Sequence, residues 1–140
     1  MFEVLNFNRF SDGRGDLIPI ELGAKFEKSL IPFDVKRIYF ISTINNDREA
    51  IRGKHAHIDL EQVIICAHGR FVLDLEDSNG NKESLLLKDN NKGIYIKKGL
   101  VWRELKNFSP NCVVIVLASN HYNESDYIKN YNDFKTKCGV

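Results

Sequence analysis

The stretch QVIICAHGRFVLDLEDSNGNKESLLL, Gln62 to Leu87, decides the fold class. Gln62 to Cys66 is β-rich, Ala67-His68-Gly69-Arg70 supplies a turn, and the chain resumes at Phe71 with Phe71, Leu73 and Leu75 on one side. Asp77-Ser78-Asn79-Gly80-Asn81 is a hairpin signal, because Asn-Gly readily takes the positive φ that tight turns need. Ser84 to Leu87 is the next strand. A stretch punctuated this closely leaves no room for a helix.

The same rhythm extends outward in both directions. Val35 to Ser42 alternates as a half-exposed strand, with Arg37 and Tyr39 on one face and Ile38 and Phe40 on the other. Gly93 to Ile96, Val101 to Leu105 and Cys112 to Ala118 continue the pattern, separated by Asp89-Asn90-Asn91, Lys97-Lys98-Gly99 and Asn107 to Asn111. Phe2 to Phe7 and Leu17 to Leu22 also alternate, and such strands can pair with a second copy of the chain. Only the tail reads as a helix. From Glu124 to Lys137, Tyr127, Ile128, Tyr131 and Phe134 recur at helical spacing, with Asn123 or Ser125 as the cap. The pattern predicts an all-β sandwich or small barrel with a short C-terminal helix, in one domain over residues 1–140.

Composition narrows the function classes. The 140 residues are 43% hydrophobic and 28% charged, which excludes a disordered chain. Lys and Arg total 20 against 19 Asp and Glu, so no strong field recruits nucleic acid or an anionic membrane. The longest apolar run, Cys112 to Ala118, is too short to cross a bilayer. Met1-Phe2-Glu3-Val4 opens without the basic segment and apolar stretch of a signal peptide. Cys66 and Cys112 lie in apolar runs and Cys138 in the polar tail, as expected of reduced thiols. A cytoplasmic location is expected.

The chemistry concentrates in Arg52-Gly53-Lys54-His55-Ala56-His57-Ile58-Asp59-Leu60-Glu61-Gln62. On a strand, His55 and His57 point to the same face. Two imidazoles facing one cavity, with Arg52 before them and Glu61 after, suit a metal or a proton-transfer site; the alternative is a solvated strand end. His68 and His121 sit beside turn residues and read as solvated, as do the charges of Arg48 and Arg70.

His55-x-His57-x-x-x-Glu61 followed by Gly69 resembles the first motif of the cupins, small β-jelly rolls. Arg52-Gly53-Lys54-His55-Ala56-His57 with Leu60-Glu61-Gln62-Val63 resembles more closely the dTDP-4-oxo-6-deoxyglucose 3,4-ketoisomerases. So do Pro32-Phe33 leading to Lys36-Arg37-Ile38-Tyr39, Val101-Trp102, Val116-Leu117-Ala118-Ser119 and Glu124-Ser125-Asp126-Tyr127-Ile128. Metal-binding cupins place a further histidine near Trp102-Arg103, and Arg103 cannot ligate a metal. Some of these ketoisomerases carry a histidine at this point, so Arg103 does not count against the resemblance.

The resemblance implies an isomerase that moves a ketone from C4 to C3 of a dTDP-linked 6-deoxyhexose through an enediol, with no cofactor and no metal. His55 and His57 would be the acid–base groups and Tyr39 a donor to the enolate oxygen. Arg52, Arg37 and Arg14 would bind the diphosphate-bearing substrate, with Glu61, Trp102 and Arg103 around the sugar. A core role for Trp102 and a packing role for Tyr39 are the alternatives for those two residues. A homodimer and a role in dideoxyaminosugar synthesis for surface glycans are implied as well. The loop Asp12-Gly13-Arg14-Gly15-Asp16 resembles the branch that makes the galacto product. Two further readings stand beside this one: a metal-dependent cupin isomerase or dioxygenase using His55, His57 and Glu61, and a sugar-nucleotide-binding module without turnover.

Overall fold

The structure is a computed structural model that describes residues 1–43 and 50–139; Arg48 lies outside them. Two antiparallel sheets face each other. The first is ordered β1 (Phe2–Asn6), β9 (Lys92–Ile96), β6 (Gln62–His68), β11 (Val113–Ala118), β4 (Arg37–Ser42). The second runs β12 (Tyr127–Ile128), β5 (Arg52–His57), β10 (Val101–Lys106), β7 (Phe71–Asp77), β8 (Lys82–Leu87). From β4 onward the chain crosses from sheet to sheet at almost every connection, and only the hairpin β7–β8 stays within one. This is the jelly roll expected from the sequence, built as a sandwich: no strand pairing among the described residues closes the two sheets into a barrel. A small hairpin, β2 (Phe10–Asp12) with β3 (Gly15–Leu17), stands apart.

The main core lies between the sheets, where Ile64, Phe71, Leu73, Leu75, Val114 and Val116 are each at most 2% exposed. The β6 run from Gln62 to Cys66 is buried on both faces because Phe7, Ile31 and Phe33 cover the outer side of the first sheet. Cys66 and Cys112 sit in the core as free thiols with Sγ atoms 4.0 Å apart, and burial pushes Cys66 up to about 12. A thiol so far from ionisation is an inert apolar filler.

Two expectations are corrected at the chain ends. Leu17 to Leu22 is not a strand; pairing stops at Leu17, and Phe2–Asn6 pairs with β9 of its own chain. The tail is not one helix. Asn123 caps a 3-10 turn at Glu124–Asp126, Tyr127–Ile128 pairs with β5 as β12, and α1 spans only Tyr131–Lys137 with Asn130 as its cap. Pairing with β5 satisfies the backbone of Tyr127 and Ile128 and places Ile128 in the cluster with Trp102.

For Trp102 the structure shows the packing alternative. Alternation along β10 turns Arg103 inward and Trp102 outward, where its ring meets Tyr131 and Phe134 at 5.4 and 5.6 Å. It anchors α1 to the second sheet instead of walling a sugar pocket. Replacing it with alanine should cost about 3–5 kcal/mol of stability, read as a lowered midpoint in urea unfolding. An unchanged midpoint would contradict this packing role.

Candidate active site

Strand β5 is distorted in a way that places its histidines. Gly53 has φ +81° and Lys54 +46°, and the pairing with β10 slips between Arg103 and Glu104, forming a β-bulge. A Cβ at Gly53 would come within 3.1 Å of the Arg103 carbonyl oxygen, so position 53 suits glycine for both conformation and space. Beyond the bulge the imidazoles of His55 and His57 lie edge to face, with ring centroids 4.6 Å apart. Tyr127 reaches both rings, at 5.0 and 4.4 Å.

The hydrogen bonds assign the tautomers. His55 Nδ1 lies 2.9 Å from the Gly53 carbonyl oxygen, which can only accept, so Nδ1 carries the proton and donates. His57 Nδ1 donates in the same way to the Asp126 carboxylate at 3.1 Å. Both Nε2 atoms are buried with no protein partner among the described residues and keep a free lone pair. Burial, and next the Arg103 guanidinium, push His55 down to about 4; the same two causes lower His57. Both rings are therefore neutral bases at physiological pH.

Arg103 dominates the electrostatics. It is 1% exposed, donates to Gln62 Oε1 at 2.5 Å and to the Val101 carbonyl at 2.9 Å, and its Nε finds no partner among the described residues. Among the described residues neither hydrogen-bond partner is a carboxylate, and Asp126 acts on the charge only at longer range. A cavity of about 320 Å³ opens beside it, bordered by Tyr39, Arg52, His55, Gln62 and Arg103. A second, also about 320 Å³, is bordered by Arg37, His57, Tyr122, Asp126 and Tyr127. The Arg37 guanidinium stacks 4.8 Å from the Tyr39 ring centroid and 5.4 Å from that of Tyr122.

The structure thus brings His55, His57, Tyr39, Arg37, Arg52 and Arg103 to one end of the sandwich. It does not bring Glu61 or Arg14. Glu61 precedes inward-facing Gln62 and turns to the opposite face, where Tyr95 donates to it at 2.5 Å. A His55–His57–Glu61 metal site is therefore not formed. Arg14 has a 92% exposed side chain paired with Asp12 on the β2–β3 hairpin. His68 and His121 are exposed as expected, although His121 borders the second cavity.

Sequence reasoning missed Gln62, Asp126 and Tyr127 as site residues. Asp126 orients His57 and accepts the Asp59 and Leu60 backbone N–H groups at 2.8 and 3.3 Å, tying the end of β5 to β12. The signal for Asp126 was its place in Glu124 to Ile128, hidden while that stretch read as a helix start.

The family model FdtA (WxcM-like, C-terminal) matches residues 1–139. A TDP-4-oxo-6-deoxy-alpha-D-glucose-3,4-oxoisomerase from Aneurinibacillus thermoaerophilus is 41% identical over 133 residues, 95% of this chain and 89% of the relative. A 3,4-ketoisomerase structure from Helicobacter canadensis aligns with TM-score 0.86 at 40% identity, covering 99% of this chain and 98% of that one. A histidine-to-asparagine variant of the Thermoanaerobacterium thermosaccharolyticum 3,4-ketoisomerase, in complex with TDP-4-keto-6-deoxyglucose, aligns with TM-score 0.85 at 36% identity over 98% and 93% of the two chains. Matched along nearly its whole length to that model, and folded as these ketoisomerases are, the chain belongs to the FdtA (WxcM-like, C-terminal) family.

Proposed function

We propose that the protein is a sugar 3,4-ketoisomerase converting dTDP-4-oxo-6-deoxyglucose to a dTDP-3-oxo-6-deoxyhexose by histidine acid–base catalysis. The observation that carries this reading is the pair of neutral imidazoles, their Nε2 atoms free among the described residues, beside a buried guanidinium and a half-buried phenol. The hydrogen at C3 of the substrate is acidified by the C4 carbonyl. His55 Nε2 removes it, and the electron pair moves onto the C4 oxygen as an enediolate. The Tyr39 hydroxyl and the Arg103 guanidinium stabilise that oxyanion. His57 carries a proton from the C3 oxygen to the C4 oxygen, and His55 Nε2 gives its proton to C4, which leaves the ketone at C3 and His55 neutral again. Atoms and electrons balance without a cofactor. Arg52 and Arg37 supply the forks for the diphosphate.

The galacto configuration at C4 is the proposed outcome, supported by the likeness of the Arg14-Gly15 loop to that branch, with surface-glycan dideoxyaminosugars as the use of the product. Among the described residues no helix is long and apolar enough to cross a membrane, and we place the enzyme in the cytoplasm as one jelly-roll domain. It acts as a homodimer. Ile38 and Phe40 on the outer face of β4 and Phe10 and Leu17 on the hairpin are 49–66% exposed, an apolar surface suited to a second copy.

Incubation with the sugar nucleotide, followed by NMR after coupling to a 3-aminotransferase, should give a product with small H4 couplings; large couplings to both neighbours would mean the gluco sugar. His55→Asn should lower turnover about 10²–10⁴-fold with the fold intact, and more than about half the wild-type rate would contradict its role. Because protonation of His55 destroys the base, kcat/KM should fall with decreasing pH only towards about 4. An acid limb near the ordinary histidine value would show that the ring is not held neutral by burial and Arg103. Light scattering should report a dimer at micromolar concentration, and a monomer would remove the proposed assembly.

A further inference from the structure

We propose that Gln62 is a positioning residue that aims the Tyr39 hydroxyl proton at the sugar, making Tyr39 a fixed donor to the developing oxyanion. This rests on the isomerase reading above.

The hydrogen-bonding inventory leaves one arrangement. Gln62 is 1% exposed and lies between Arg103 and Tyr39. Arginine has donors only, so the Gln62 atom 2.5 Å from Arg103 Nη1 must be the amide oxygen. The amide NH₂ is then forced to face Tyr39, and Nε2 donates to Tyr39 Oη at 3.2 Å. A phenol that accepts from an NH₂ group cannot return its own proton to it. The proton turns away from Gln62, and Tyr39 borders the cavity shared with His55 and Arg103. Arg37, stacked on the ring, holds its plane. Burial raises the Tyr39 pKa, so the proton stays on the phenol. The fixed charge of Arg103 on β10 thus sets, through one amide, the direction of a donor on β4 of the opposite sheet.

Two substitutions separate this role from a structural one. In Gln62→Glu the carboxylate keeps the pair with Arg103 but can only accept, so Tyr39 donates to it and withdraws its proton from the sugar. In Gln62→Met both hydrogen bonds vanish and the Tyr39 hydroxyl rotates freely, still able to donate. Positioning therefore predicts kcat in the order wild type, Met, Glu. A structural role predicts the reverse for the two variants, because Glu leaves both neighbours bonded and Met leaves both unpaired.

The test measures kcat and KM for dTDP-4-oxo-6-deoxyglucose in both variants, in Tyr39→Phe and in the two double variants, with folding checked by thermal melts. Gln62→Glu should lose at least about 10²-fold in kcat, with KM within about threefold. In the Tyr39→Phe background Gln62→Met should lower kcat no further, and Gln62→Glu should lower it less than in the wild-type background, the remainder being the effect of its carboxylate on Arg103. A Glu variant as active as Met, a Glu loss equally large without the Tyr39 hydroxyl, or a Met loss that persists without it, overturns the inference. If Gln62→Glu does not fold, Gln62→Met decides: its partial loss must vanish in the Tyr39→Phe background. Wild-type protein without turnover would defeat the isomerase reading itself, whereas wild-type turnover with the reverse order defeats the inference alone.

Discussion

A guanidinium buried to 1%, hydrogen-bonded among the described residues to an amide and a carbonyl and to no carboxylate, is the constraint around which this site is organised. Removing such a charge from water costs several kcal/mol even after relaxation, and two neutral hydrogen-bond partners return only part of it. The jelly roll offsets that cost by burying both faces of β6 and the interior of both sheets. The buried charge then acts on its surroundings. Together with burial it keeps His55 and His57 deprotonated, and it fixes the orientation of the Gln62 amide. An oxyanion formed in the adjacent cavity meets a positive charge that is already in place and needs no reorganisation.

Around Arg103 the division of labour follows from strand geometry. The bulge at Gly53 lets His55 bond its own strand, and the short strand β12 delivers Asp126 and Tyr127 to His57. Each Nδ1 is held by an acceptor that cannot itself donate, leaving Nε2 as the reactive atom on both rings. Asp126 orients one imidazole and ties the end of β5 with the same carboxylate, so the catalytic geometry and the local fold share a single anchor.

Much of this was legible in the sequence, because period-two alternation and turn residues encode strands directly. The Asn79-Gly80 hairpin and the paired His55 and His57 fell where the alternation put them. The tail was not legible, since Tyr127, Tyr131 and Phe134 recur at helical spacing although Tyr127 lies on a strand and the other two on a helix. Glu61 was misplaced by one position of parity: its neighbour Gln62 faces the cavity and Glu61 faces Tyr95. Gln62 carries no titratable group, and its importance depends on two partners from distant strands, which no local pattern announces.

The central claim is that these imidazoles perform base chemistry on carbon, and solvent isotope tests it most directly. Wild-type protein incubated with dTDP-4-oxo-6-deoxyglucose in D₂O and followed by NMR should place deuterium at C4 of the product. It should also exchange the C3 hydrogen of recovered substrate. Saturated binding with no deuterium incorporated at either carbon would contradict the account and leave a sugar-nucleotide-binding module.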